Sequence, residues 1–359
     1  MNSELAAKQF KLNGAPVSCE RYGCGHINET YLVVTDKGIR YILQKINRRV
    51  FTDVAGLMQN IAAVTAHIAG KADDPRSSLH LAKTLDGRDY YEAEDGGCWR
   101  VYDFVEDSIC LQQPESQRDF YESAVAFGGF QQQLADFPAH TLHETIPNFH
   151  NTVSRYAQLH AAIEADRVGR VANARHEIEE YLRRESEAAK LLDMLSRGEL
   201  PLRVTHNDTK LNNVMLDAKT HKALCVIDLD TVMPGLMAYD FGDSIRFGAS
   251  TAAEDERELD RVSVDLELMR TFTRGFVGVC RNMTDAEVQS LPLGAKLMTL
   301  ECGSRFLADY LDGDRYFAVH RQDHNLDRCR TQLKLVQDME QKWDAMLNIV
   351  NEERESSKR

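Results

Sequence analysis

Paired cysteines, an excess of basic residues and long apolar runs are all missing from this chain, and each absence removes a class of function. The eight cysteines are scattered without any C-x-x-C spacing, which argues against a zinc site and against a disulfide framework. Lys and Arg total 43 against 56 Asp and Glu, a net charge of −13. Nucleic acid and acidic membrane surfaces both demand a basic partner, so neither is expected. No stretch approaches membrane-spanning length, and the N-terminus "MNSELAAKQFKLNG" has no apolar signal core, so a reducing cytoplasm is the expected location. Internal repeats, low-complexity tracts and long linkers are absent as well; only the tail "NEERESSKR" reads as frayed. His140, His143, His150 and His160 fall in a loop-rich region without ligand-like companions, so no metal site is expected there. No obligate protein partner is indicated. What remains is an ordinary globular composition over 359 residues, 43% hydrophobic and 28% charged, enough for one large core or two modest ones.

The texture of the chain changes near residue 105. Before it, "ETYLVVT" (29–35) and "IRYILQKI" (39–46) flank the hairpin signal "DKG". "DVAGLMQNIAAVTAHIAG" (53–70) spaces Leu57, Ile61, Val64 and Ile68 as a helix does. "LHLAKTL" (79–85), "DYYEAE" (89–94) and "CWRVYDFVE" (98–106) read as further strands. After it, 115–137, 175–198, 258–280, 292–312 and 325–350 read as helices, and strands return only at "VMLD" and "LCVIDLD". The expected fold is α+β in two lobes: a small antiparallel-sheet lobe over 1–105 and a larger, mostly helical lobe over 106–359.

Chemistry concentrates in "RVTHNDTKLNNVMLD" (203–217) and "LCVIDLDTVMPG" (224–235). Phosphoryl transfer from a nucleotide needs a carboxylate to deprotonate the acceptor hydroxyl, oxygen ligands for Mg²⁺, and cations to spread the charge of the transferring group. His206-x-Asp208-x-x-x-x-Asn213 matches the H-x-D-x-x-x-x-N catalytic loop of kinases, and Asp228 follows at the end of an apolar strand. In such a loop Asp208 is the base, Asn213 and Asp228 are the metal ligands, and Lys210 meets the γ-phosphate as a compact point charge. Any one of these residues alone would be a turn cap; their combination carries the reading.

Other stretches add to it. "YGCGHINETYLVV" (22–34) is a glycine turn between strands, and its Gly23 and Gly25 allow close backbone approach to phosphates. "CWRVYDFVEDS" passes from the sheet lobe to the helical one, where backbone groups of Asp103 to Val105 would meet an adenine. Trp99 and Tyr102 there read as core. In "MAYDFGDSIRFGAS" (237–250), Asp240 is expected to accept from the catalytic-loop backbone. "ECGSRFLADYLDGDRYF" (301–317) puts Arg305, Asp309 and Asp312 on one helix face. That face is either a solvated salt-bridged surface or a wall of hydroxyl-binding groups continued by Tyr316.

Assembled, these segments resemble the aminoglycoside phosphotransferase and choline kinase superfamily of small-molecule kinases. Loop 203–213 and the run from Asp240 to Ser250 resemble its N-acetylhexosamine 1-kinase subgroup of bifidobacterial type. The resemblance implies a protein-kinase-like fold and ATP- and Mg²⁺-dependent phosphorylation of the anomeric hydroxyl of N-acetylglucosamine or N-acetylgalactosamine. It assigns Asp208 and Lys210 to catalysis, and Gly23, Gly25, His26, Asn28, Gln44, Asp103 and Val105 to the nucleotide. Asn213 and Asp228 fall to the metal, and Lys210, Asp230, Arg305, Asp309 and Tyr316 to the sugar. Two features depart from the pattern. Gln44 stands where kinases carry a basic residue on the third strand, with Lys45 beside it pointing to the other face. Cys24 stands where the family has an acidic residue. Two other readings stay open: a kinase of an amino alcohol, homoserine or an aminoglycoside, and a nucleotide-binding pseudokinase.

Overall fold

Alternating strands first and amphipathic helices afterwards give an α+β protein, with an antiparallel sheet in its N-terminal region and a mostly helical C-terminal part. The computed structural model describes residues 1–23 and 27–358. Among these, the first 110 residues hold helices α1 (Ser3–Ala7) and α2 (Val54–Ala69). They also hold strands β1 (Pro16–Arg21), β2 (Glu29–Thr35), β3 (Arg40–Ile46), β4 (Leu81–Ala82), β5 (Tyr91–Glu92), β6 (Cys98–Asp103) and β7 (Ser108–Ile109). Next come α3 (Gln117–Gln133), α4 (Thr152–Ala165), α5 (Arg175–Leu182) and α6 (Lys190–Ser196), then strands β8 (Arg203–Thr205), β9 (Val214–Asp217), β10 (Ala223–Val226) and β11 (Met233–Gly235). Helices α7 (Met237–Gly248), α8 (Leu266–Val279), α9 (Asp285–Asp312), α10 (His324–Gln341) and α11 (Trp343–Ser357) complete the chain.

Two compact units emerge, and they do not follow the chain simply: residues 1–110, 136–147 and 214–234 form the first, and 111–135, 148–213 and 235–359 the second. In the first unit the sheet runs β1-β2-β3-β6-β4, with β5 also on β6. β3 and β6 pair antiparallel with Gln44 opposite Arg100. A second sheet, β10-β9-β7, carries the chain into the turn at Ile227–Asp230. Trp99 packs with Val33, Leu43 and Val101 in the sheet core, as its sequence context suggests.

In the second unit α9 is the axis. Its N-terminus is fixed by a capping box between Thr284 and Glu287, which satisfies two otherwise orphaned donors. Helix α7 lies against α9 at a distance only glycine permits: a Cβ on Gly294 would stand 2.1 Å from the Ala238 carbonyl oxygen, and one on Gly242 2.5 Å from the Gly294 backbone. Helical periodicity puts Ala238, Gly242 and Ile245 on one face of α7 and Asp240, Asp243 and Ser244 on the other. Close packing on one side thus aims two carboxylates the opposite way.

Several element expectations change. The strands expected over 79–85 and 89–94 shrink to the two-residue β4 and β5, because turns at Asp86–Gly87 and Asp95–Gly96 take up the flanking residues. The helix expected from 292 begins at Asp285, with Pro292 inside it. The 175–198 and 325–350 runs are each broken into two helices. No helix of the described residues is long and apolar enough to cross a membrane.

Candidate active site

Strand β8 delivers the chain to loop 206–213, and the loop's backbone is held by buried side chains rather than by a ladder. The N–H of His206 donates to Asp240 Oδ2 at 2.9 Å and that of Asn207 to Asp240 Oδ1 at 2.8 Å. Thr209 N–H donates to Asp243 Oδ2 at 3.1 Å, and its hydroxyl to the Asp240 carbonyl at 2.6 Å. Gln131 on α3 also donates to Asp240 Oδ2, at 2.6 Å. Asp240 is fully buried, so burial pushes its carboxyl upward against the opposing pull of His206 and these donors. The expected support role of Asp240 is what its contacts describe.

Asp208 lies on this scaffold between two partners, Lys210 Nζ at 2.7 Å from Oδ1 and Asn213 Nδ2 at 3.0 Å from Oδ2. Asn213 Nδ2 also donates to the Asp208 carbonyl at 2.8 Å. Both acceptors are oxygens, so the amide nitrogen must face them, and the Asn213 amide oxygen is left as a neutral ligand for a cation. Burial works against the Lys210 ammonium, but Asp208 and Asp243 outweigh it and raise its pKa above the usual lysine value. Burial likewise opposes the Asp243 charge, yet Arg246 and Lys210 hold it below the usual carboxylate range. Arg246 donates to Asp243 Oδ1 at 2.9 Å and to Glu254 at 2.9 Å.

The first unit contains a second polar cluster. Asp228 adopts a left-handed conformation, φ 59°, and Asp230 follows in a short 3₁₀ turn. Asp230 is paired with Arg100, the two side chains 3% and 1% exposed, and accepts from Asn28 Nδ2 at 2.5 Å. Arg100 also donates to Gln44 Oε1 at 3.0 and 2.7 Å, and Gln44 donates onward to Thr30 at 3.1 Å. Burial disfavours the guanidinium, but the Asp230 carboxylate and its neighbour Asp228 keep it charged, with its pKa above the usual arginine value. A buried cation thus lies beside Gln44, on the residue directly opposite it in the neighbouring strand. Lys45 points away, toward Glu29 at 3.6 Å and the Trp99 ring.

The fit to a divalent ion rests on this donor set. Among the described residues no group of three or more His, Cys, Asp or Glu could hold a metal on its own. Mg²⁺ is commonly held by one or two carboxylates plus substrate phosphates. The Asp228 carboxylate of the first unit and the Asn213 amide oxygen of the second are each the kind of oxygen donor that Mg²⁺ takes.

Of the expected nucleotide contacts, Gly23 has φ +73° and open space around its Cα, whereas Gly25 and His26 lie outside the described residues. Asn28 is buried; its Oδ1 accepts from the Asn47 N–H at 2.9 Å, which ties Asn28 to the end of β3. The Asp103 N–H is committed to the His80 carbonyl at 2.9 Å, and the Val105 carbonyl accepts from Ser108 Oγ at 2.6 Å.

The acceptor residues divide. Arg305 lies over the Phe317 and Tyr316 rings, 5.4 and 5.8 Å from their centroids, and among the described residues no carboxylate pairs with it. Tyr316 is 73% exposed. Asp309 is buried, and its oxygens accept from the N–H groups of Arg315, Tyr316 and Phe317 at 2.9, 2.8 and 3.0 Å and from Asn325. Its carboxylate is spent on shaping the loop that presents Tyr316. Asp312 pairs with Arg167 at 3.1 Å instead of with Arg305. Asp230, expected at the sugar, sits in the first unit bound to Arg100 and Asn28.

Sequence reasoning passed over Arg100, noted Asp243 without giving it a role, and weighed His150 only as a metal ligand. A charged residue inside the apolar run "CWRVY" was the available signal for Arg100, and the i, i+3 spacing of Asp240 and Asp243 was the one for Asp243.

A buried carboxylate scaffold under an H-x-D-x-x-x-x-N loop, together with an antiparallel sheet that buries an arginine beside an Asp-bearing turn, defines a phosphotransferase. Residues 18–274 match the phosphotransferase enzyme family, and the chain belongs to it. Solved structures of similar fold include a microcompartment-associated aminopropanol kinase, at 16% identity and TM-score 0.60 over 96% of this chain and 97% of that one. An aminoglycoside phosphotransferase from Alicyclobacillus acidocaldarius matches at 14% identity and TM-score 0.62, over 99% and 97% of the two chains. An amicoumacin kinase in complex with AMP-PNP, Ca²⁺ and Ami matches at 16% identity and TM-score 0.62, over 91% of each. At these identities the likeness is one of fold.

Proposed function

We propose that the chain is an ATP-dependent kinase of a small hydroxylated acceptor, and that the acceptor is an N-acetylhexosamine phosphorylated at its anomeric hydroxyl. The observation that carries the reading is the Asp208 carboxylate, set between Lys210 and Asn213 on a loop whose amides are tied to buried Asp240 and Asp243. Asp208 takes the acceptor's hydroxyl proton as that oxygen bonds to the γ-phosphorus. The bond from the γ-phosphorus to the bridging oxygen breaks, and ADP leaves with the electron pair. An anomeric hydroxyl is more acidic than an ordinary alcohol, so one carboxylate suffices as base. Lys210, kept protonated by its two carboxylate neighbours, spreads the charge of the transferring group. A divalent ion held by Asn213 and Asp228 would neutralise phosphate charge. Arg305 and Tyr316 would bind sugar hydroxyls or the acetamido group, and backbone groups around Val105 the adenine.

Arg305 favours a neutral or electron-rich acceptor, because a guanidinium without a carboxylate partner repels an ammonium. A cationic acceptor is the second reading, favoured by a neighbour of similar fold that is described as an aminopropanol kinase. Both are tested by ADP release with N-acetylglucosamine, N-acetylgalactosamine, glucose, aminopropanol, choline, homoserine and an aminoglycoside, the phosphate position being read by NMR. The expected outcome is highest kcat/KM for the N-acetylhexosamines, with phosphate on C1. Preference for an amine would overturn the sugar assignment, and no ADP release with any acceptor would overturn the kinase. With the preferred acceptor, Asp208→Asn should lower kcat on the order of 10²-fold or more while nucleotide binding persists.

A further inference from the structure

His150 is the histidine that the reaction scheme leaves unused, and its two ring nitrogens are both committed. Nε2 stands 3.0 Å from the carbonyl oxygen of Asn207, and Nδ1 stands 3.0 Å from Glu301 Oε1. The His150 side chain is 11% exposed and that of Glu301 3%. A carbonyl oxygen can only accept, so Nε2 carries a hydrogen. The other Glu301 oxygen accepts from Thr152 Oγ1 at 3.2 Å, and a carboxylate oxygen only accepts. Nδ1 therefore carries a hydrogen too, and the ring is an imidazolium. Phe149 and Tyr239 pack against its faces, with centroids 4.6 and 5.5 Å away.

What this ring holds is the peptide immediately before Asp208. Asn207 lies in the left-handed region, φ 65°, which asparagine tolerates better than most residues, so the contacts around it decide how firmly the turn is held. Its N–H is held by Asp240 and its carbonyl by His150, while the Asp208 carbonyl is held by Asn213. We propose that His150, paired with Glu301, is a positioning residue: it fixes the Asn207–Asp208 peptide in its left-handed turn and thereby aims the Asp208 carboxylate. This rests on the reading of Asp208 as the base. Glu301 and Arg305 lie one turn apart on α9, so the same helix carries the clamp and the proposed acceptor contact.

The charges facing the ring are Glu301 from α9 and Asp243 from α7, with Tyr239 beside it, and Arg155 of α4 is close enough to sense Glu301. Burial pulls the His150 pKa down, and Glu301 and Asp243 more than reverse this, so it lies above the ordinary histidine value. A raised folded value means that the clamp is complete below it and is lost as pH rises through it. On deprotonation at Nδ1 a lone pair would face the Glu301 carboxylate, and the ring would turn away from the Asn207 carbonyl.

The test uses the full chain with His150→Ala and His150→Gln. Gln keeps an N–H donor but cannot titrate. His150→Ala should lower kcat about tenfold or more with the ATP KM unchanged. His150→Gln should restore part of that loss and remove an alkaline limb from the pH dependence of kcat. In the wild type, ¹⁵N NMR should show both ring nitrogens protonated at pH 6, and amide exchange at Asn207 and Asp208 should quicken in His150→Ala without any substrate. A neutral ring, unchanged exchange, or a folded His150→Ala protein with wild-type kcat would each overturn the proposal. If exchange quickens but no acceptor releases ADP from the wild type, the clamp stands and the kinase reading falls.

Discussion

Arg100 carries the clearest lesson at the scale of single residues. Gln44 stands where kinases commonly carry a cation, and from the chain alone it reads as a departure. Antiparallel register places Arg100 directly opposite, where it bonds Gln44 and pairs with Asp230 two residues beyond Asp228. Removing one partner of a buried pair strands the other charge, at a cost of about 3–5 kcal/mol. Arg100→Ala should therefore destabilise the protein by about that much in denaturant unfolding, and adding Asp230→Ala should recover a large part of the loss. If the two losses simply add, the pair is not coupled. Arg305 poses the opposite case, a charge with aromatic rings for neighbours and no ion pair among the described residues. Deleting the fixed partner of a bound polar group costs about 1–3 kcal/mol, so Arg305→Ala should raise the acceptor KM by about one to two decades and leave the ATP KM nearly unchanged. A change confined to thermal stability would place the acceptor wall elsewhere.

At the scale of elements, the packing of α7 on α9 decides where Asp240 and Asp243 point. Gly294→Ala would push a methyl group into the Ala238 carbonyl, backbone against backbone, with no flexible side chain to give way. Overpacking of this kind costs about 1–3 kcal/mol. The variant should lose kcat as well as stability, because α7 must shift and its other face holds loop 206–213, which carries the proposed base. Equal kcat in a destabilised variant would show that the loop is held independently of α7. Element existence was readable where periodicity was strong: β2, β9 and α3 lie where the patterns put them. Boundaries were not. The helix is expected to start at Pro292, yet the capping box at Thr284 and burial of the surrounding turn carry it through that residue from Asp285. The run 175–198 has continuous helical spacing, but the helix ends at Leu182, next to Arg184, whose buried side chain pairs with Glu180 and Glu340.

At the scale of the whole molecule, that same network sets an acid limit. Side-chain hydrogen bonds from Arg184, then Arg183, hold Glu180 down to about 2 from the usual 4.5. Burial opposes ionisation of Glu187 and Glu340, but Lys296, and for Glu340 also Arg184, overcome it and lower both. Depressed folded values mean stability that is present above the unfolded pKa and lost as pH falls through the folded one. Thermal midpoints should therefore be flat above about pH 5 and fall steadily from about pH 4.5 toward 2. Lys296→Met should shrink that slope, and an unchanged slope would show that the network's carboxylates are not the titrating groups.

The α+β class, the H-x-D-x-x-x-x-N loop and the Asp-ended strand could all be read from the chain. Those signals are local: hydrophobic period, turn chemistry and the spacing of a few polar residues within a short stretch. Three assignments needed the folded molecule: that Asp309 shapes a loop, that Asp230 belongs to Arg100, and that a histidine fifty-seven residues upstream of Asn207 grips its carbonyl. Each depends on which residues meet across elements distant in the chain. Burial then sets the value of the meeting, because a carboxylate removed from water must find donors wherever the packing supplies them.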